Sequence, residues 1–235
     1  MHSSLCTHGW PLRRLLSGCT WLLLCISLTG VGQAMVHWDF TQVIANARDR
    51  YGKLGSGDQR IRAWGQLLQA HQGEDEAAQL DAVNRFFNQQ LSFRSDLQVW
   101  GRNDYWASPV ESLVQGAGDC EDFAIAKYFS LRRLGVPSEK LRITYVKALR
   151  QNQPHMVLTY YSDTGADPLV LDNLTNDIRR ASQRRDLLPV YAFNADGVYL
   201  PRAGSERQAG DPKQLSRWTE LLQKLQAEGF TVGQG

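Results

Sequence analysis

The chain has 235 residues, 43% hydrophobic and 21% charged, with 26 Lys and Arg against 24 Asp and Glu for a formal charge of +2. That length supports one domain with a substantial core. The near balance of charge leaves no basic excess to attract phosphates, which excludes a nucleic-acid-binding reading.

Residues 1–34 read as a secretory signal, to be set aside before the fold is considered. Arg13 and Arg14 form a basic start, Leu15 to Thr29 is mostly apolar, and Gly32-Gln33-Ala34 offers small residues for cleavage after Ala34. The apolar run is short of the about 20 residues that a membrane span needs. Leu16-Ser17-Gly18-Cys19 has a lipoprotein-like pattern, but only Leu15 and Leu16 separate it from the arginines. Removal leaves 35–235 as a single domain with no formal net charge, because Arg13 and Arg14 are the only charges lost. Cys6, Cys19 and Cys25 leave with the signal, so Cys120 is the only cysteine of the exported chain. In an oxidising compartment a lone cysteine points to a reactive thiol rather than a staple.

From Val36 to about Leu91 the apolar residues recur at helical spacing. Trp38, Phe40, Val43, Ile44 and Ala47 suit a first helix capped by Asp39. Ile61, Trp64, Leu67 and Leu68 suit a second, ended by Gly73. Ala77, Leu80, Val83, Phe86, Phe87 and Leu91 suit a third, whose acidic opening Glu74-Asp75-Glu76 complements the helix dipole. Phe93 to Gly118 reads as a long aromatic loop, with a short helix starting at Ser108-Pro109. A loop of that length in a compact domain is usually functional. Trp100 and Trp106 are expected either to line a groove or to pack against the helix that follows.

That helix begins at Gly118-Asp119-Cys120 and ends at Gly135-Val136-Pro137. Asp119 is a good N-cap, which places Cys120 in the first turn. Free N–H groups and the dipole favour negative charge there, so a lowered thiol pKa is expected. After it the period becomes two. Leu141 to Val146, His155 to Tyr161 and Pro168 to Asp172 read as strands, with a turn over Ser162 to Asp167. Val190–Phe193 and Gly197–Leu200 read as a hairpin, Gly204 to Asp211 as a polar linker, and Gln214 to Ala227 as a final helix. Helices followed by antiparallel strands make an α+β domain.

A nucleophilic thiol needs a base, and the base needs an orienting group. His37 lies at the frayed start of the exported chain, and His71 closes a surface helix. Only His155 opens a strand, and Asp172 ends the next. In an antiparallel hairpin the start of one strand faces the end of the other, so the two should be neighbours. Cys120, His155 and Asp172 are therefore the expected catalytic set.

Asp119, Glu121 and Asp122 surround the thiol with carboxylates, which would raise its pKa. A hard cation would neutralise them, and oxygen-only ligands suit Ca²⁺. The alternative is capping, with Glu121 and Asp122 answering the dipole and no metal bound. Carbonyls near Asn103 to Tyr105 are further possible ligands.

Cys120 at a helix start, then His155 and Asp172 on successive strands, resembles the transglutaminase core of the papain-like superfamily. Asp104-Tyr105-Trp106-Ala107-Ser108-Pro109, Gly118 to Lys127, Tyr145 to Ala148, His155 to Leu158 and Leu169 to Leu174 resemble the bacterial transglutaminase-like cysteine proteinases. Within that family they are most similar to the LapG-type periplasmic proteases. The resemblance implies a calcium-dependent periplasmic endopeptidase that cuts the N-terminal region of a large surface adhesin beside a di-alanine site, releasing cells from a biofilm. It implies an inhibitory partner too, the periplasmic domain of an inner-membrane cyclic-di-GMP receptor. Neither nucleic acid nor membrane insertion after signal removal is expected. Two other readings share the residues: an acyl transferase or amidase acting on cell-wall peptides, and a non-catalytic peptide-binding module.

Overall fold

The computed structural model describes residues 38–202 and 205–230, which fall within one compact unit, Val36–Gly235. The leader expected over 1–34 and His37 lie outside the described residues. Three helices come first: α1 (Phe40–Tyr51), α2 (Ser56–Ala70) and α3 (Glu76–Gln90). The Asp39 carboxylate caps α1 by accepting the Thr41 N–H at 2.9 Å, and Asp75 caps α3 through Ala78 N at 2.8 Å. Their inward stripes carry Ile61, Trp64, Leu80, Val83 and Phe87, all buried as the spacing predicts.

The expected loop over Phe93 to Gly118 is more regular than its composition indicates. A short strand β1 (Ser92–Phe93) leads into α4 (Asp96–Trp100), and α5 (Pro109–Gln115) starts at the predicted Ser108-Pro109. Strand β2 (Ala117–Gly118) then runs parallel to β1. The central helix α6 (Cys120–Leu134) follows at once and stops at Gly135, whose φ of 100° suits a residue without a side chain. Residues 122–131 of α6 are buried, which makes it the axis of the core. The indole N–H of Trp64 donates to Ser130 Oγ at 2.8 Å and locks α2 onto it.

Among the described residues seven strands form one antiparallel sheet. They are β3 (Leu141–Ala148), β4 (Gln153–Tyr160), β5 (Leu169–Leu171), β6 (Arg179–Arg180), β7 (Leu187–Phe193), β8 (Val198–Arg202) and β9 (Ser205–Gly210). Their order is β6-β5-β4-β3-β7-β8-β9. β3 pairs along the whole of β4, from Leu141 with Tyr160 to Ala148 with Gln153. β5 pairs with β4 only over Leu158–Tyr160.

The linker expected at Gly204 to Asp211 is corrected by β9. Its sequence lacks an apolar alternation, but as an edge strand it needs only backbone pairing with β8. Helix α7 (Ser216–Ala227) closes the chain, with buried Trp218 stacked on Phe129 of α6 at 5.6 Å. Just beyond it, buried Glu228 accepts Ser108 Oγ at 2.7 Å and the Tyr51 hydroxyl at 3.0 Å. That contact joins the chain's end to α1 and to the start of α5. Among the described residues no helix is long and apolar enough to cross a membrane.

Candidate active site

The first turn of α6 is fixed from inside. Asp122 is wholly buried; its Oδ1 accepts the Ala107 N–H at 2.7 Å and its Oδ2 accepts the Asp119 N–H at 3.2 Å. It therefore ties the 104–108 segment to the helix start. Gly118 is needed for this packing, because a Cβ there would stand 2.6 Å from Asp122 Oδ2.

Cys120, half-buried, opens α6, which packs on β4. His155, beside Met156, is 4% exposed and Asp172 only 1%. Leu171 pairs with Leu158, so Asp172 follows one step nearer the His155 end of the sheet. His155 Nε2 and Asp172 Oδ1 are 2.8 Å apart. An ionised carboxylate only accepts, so Nε2 carries a proton and Nδ1 is the ring nitrogen that Asp172 does not engage. Burial opposes ionisation of Asp172, but hydrogen bonds from His155, the Leu174 N–H and Arg184 hold its carboxyl well below the usual range. Cys120, Glu121, His155 and Met156 line one groove with Trp106, Tyr145 and Tyr191. Trp106 lines that groove, the first of its two expected roles, and also stacks on Phe193 at 5.5 Å. Trp100 turns instead to Tyr105, 4.7 Å away.

The lowered thiol pKa expected from the helix start is corrected. Burial, then Glu121 and Asp119, push the thiol above its ordinary value, and Cys120 Sγ lies 3.0 Å from Glu121 Oε2. A helix dipole worth about 0.3–1 kcal/mol does not outweigh them. His71 has the surface role expected of it, paired with Glu74 at 2.6 Å.

The acidic residues divide into two groups. Asp119 and Asp122 converge with Asp96, with one oxygen from each lying within 4.8 Å of the others, while Glu121 groups with Asp119 and the thiol. Asp96 and Asp119 each bury an Oδ1 that has no hydrogen-bond partner among the described residues. Burial and then neighbouring carboxylates push Asp119 up to about 10, and burial raises Asp96 and Asp122 as well. Orphaned buried oxygens in a mutually repelling, oxygen-only set fit a hard cation. Asp96 was not among the residues expected from sequence. The signal was indirect: Ser95 and Gln98 form a capping box, Ser95 N donating to Gln98 Oε1 at 3.2 Å, and this fixes Asp96 at the start of α4.

A thiol at the head of a central helix, set against an imidazole on an antiparallel sheet, places the fold with the α+β papain-like cysteine proteases. A profile of the bacterial transglutaminase-like cysteine proteinases matches residues 62–186. Legionella pneumophila LapG is similar in structure, with a TM-score of 0.67 and 43% identity over 78% of this chain and 97% of that one. Its EGTA-treated form gives 0.69 and 44% over 78% and 97%, and its calcium-bound form gives 0.68 and 41% over 80% and 99%. A comparison with curated proteins gave no match. The chain belongs to the bacterial transglutaminase-like cysteine proteinases.

Proposed function

We propose that this chain is a calcium-dependent periplasmic endopeptidase that cuts the N-terminal region of a large surface adhesin at a di-alanine type of site, releasing it and promoting biofilm dispersal. One observation carries the reading: His155, paired with buried Asp172, lines one groove with a half-buried cysteine. In the first step Cys120 Sγ bonds to the scissile carbonyl carbon, and its proton passes to His155 Nδ1. Asp172 holds the imidazole tautomer and stabilises the imidazolium. The proton then goes to the departing amine as the C–N bond breaks, and water hydrolyses the thioester. The Cys120 N–H, at the first turn of α6, serves as an oxyanion donor.

Asp96, Asp119, Glu121 and Asp122 would hold Ca²⁺. When bound, the ion supplies positive charge that offsets the carboxylates around the thiol. Support comes from the orphaned oxygens and from the likeness to a protein seen in calcium-bound and EGTA-treated forms. Export depends on residues 1–34, and an inner-membrane cyclic-di-GMP receptor sequesters the protease through its periplasmic domain. The test is incubation of the purified protein, with and without calcium, with the N-terminal part of a large adhesin from the same genome. A single calcium-dependent cut that Cys120→Ala abolishes is expected. A cut that survives in Cys120→Ala would remove the reading.

A further inference from the structure

Asp172 has a charged partner that the catalytic scheme does not use. Its Oδ1 accepts from His155 Nε2 at 2.8 Å and the Leu174 N–H at 3.1 Å, while its Oδ2 accepts Arg184 Nη2 at 2.7 Å. Arg184 is only 7% exposed. Its guanidinium is gripped by Asp186, Nε to Oδ1 at 3.0 Å and Nη2 to Oδ2 at 2.9 Å. The backbone is fixed as well, since Arg184 N bonds to Ala181 O at 2.9 Å and Leu187 N to Arg184 O at 3.0 Å.

We infer that Arg184 is a positioning residue, a clamp on Asp172 Oδ2 that fixes the carboxylate plane presented to His155. The inference rests on the assignment of Cys120, His155 and Asp172 made above. The terminal torsion of an aspartate is broad, so a contact on Oδ1 alone leaves the plane free to swing. Asp186 grips the Nε/Nη2 edge of the planar guanidinium, and the same Nη2 meets Asp172 Oδ2, so the fork removes that freedom where a point charge would not. Lys127 of α6 is the other basic residue that feels the charge of Asp172 among the described residues, but burial outweighs that pull and pushes its pKa down to about 7. It is wholly buried and its Nζ has no hydrogen-bond partner among the described residues, so it gives the carboxylate no direction. Arg184 supplies the direction, and Asp186 holds Arg184 in place. A buried ion pair is not by itself a stabilising device, so a link ending on the carboxylate that faces the imidazole points to orientation.

The test compares Arg184→Met, Arg184→Lys and Asp186→Asn with the unaltered protein, all with calcium. Readouts are kcat and KM on the adhesin fragment, the downfield NMR signal of the His155 Nε2 proton, and the iodoacetamide rate of Cys120 at one pH. Misplacement of a reacting group by about 1 Å costs about 10²-fold. For Arg184→Met we expect kcat to fall by about that factor with KM little changed, and the His155 signal to broaden or vanish. Asp186→Asn should lose less, and Arg184→Lys should recover only part. Should Arg184→Met not fold, Arg184→Lys and Asp186→Asn decide the matter. Wild-type kcat and an unmoved His155 signal in folded variants would overturn the clamp. Thiol alkylation and the NMR signal need no substrate, so the clamp is judged even if the adhesin fragment proves not to be cut.

Discussion

Cys120 Sγ and Glu121 Oε2 stand 3.0 Å apart, close enough that the carboxylate opposes ionisation of the thiol. A cation held by the carboxylates beside them relieves that opposition. Calcium should therefore speed iodoacetamide alkylation of Cys120 at neutral pH, and EGTA should slow it. It should also raise the melting temperature, as any ligand of the folded state does. Asp96→Asn should weaken both responses. Equal alkylation rates and equal melting temperatures with and without calcium would leave the acidic residues as helix caps only.

Asp172→Asn tests the orienting carboxylate. An amide can present its N–H to Nε2 and so favour the wrong imidazole tautomer. In a comparable triad that change lowers kcat about 10⁴-fold, and a loss of that order is expected here. The variant should also lose stability, because buried Arg184 loses one of its two carboxylate partners. Turnover within about tenfold of wild type would mean that Asp172 does not orient His155.

Glu228 predicts a pH dependence of stability. Burial above all, and then the nearby Glu111 carboxylate, push its pKa from 4.5 up to about 7. Between those values the folded chain holds a proton that the unfolded chain has lost, so stability rises as pH falls from about 7 towards about 4.5. Above about 7 the cost of the buried carboxylate is borne in full. Glu228→Gln should thus be more stable than wild type at about pH 8, and the two should converge near pH 4.5. Urea midpoints across this range measure the difference. A constant offset between the two proteins would count against the buried carboxylate as its cause.

Gly118→Ala should destabilise without touching substrate. The new methyl would meet Asp122 Cβ at 2.7 Å, and Asp122 is held at both oxygens. Overpacking of this kind typically costs about 1–3 kcal/mol. A lower urea midpoint with unchanged slope is expected. A midpoint equal to that of wild type would mean that Asp122 has room to yield.

Much of this was legible in the chain because the signals were local. The helical stripes around Trp64, Leu80 and Phe87 and the alternation from Leu141 to Val146 each reflect a surface with one buried face. Asp119 before Cys120 marked the start of α6, and a short turn between strands put Asp172 near His155. What was missed depends on distant partners. Asp96 lies in a polar stretch and gains meaning only when the tertiary fold brings it to Asp119 and Asp122. Arg184, next to Arg185 and Asp186, is indistinguishable in sequence from a solvated charge run until its burial is known. β9 carries no apolar alternation because pairing with β8, not burial of a face, holds it.

The partial pairing of β5 on β4 bears on dynamics. Over Leu158–Tyr160 the strand has neighbours on both sides, whereas Gln153–Val157 is laddered to β3 alone among the described residues. Amide hydrogens at the doubly laddered end should exchange with solvent only through global unfolding, and those towards Gln153 through cheaper local opening. His155 thus sits just outside the doubly laddered stretch, where the backbone should open to solvent before Leu158–Tyr160 does.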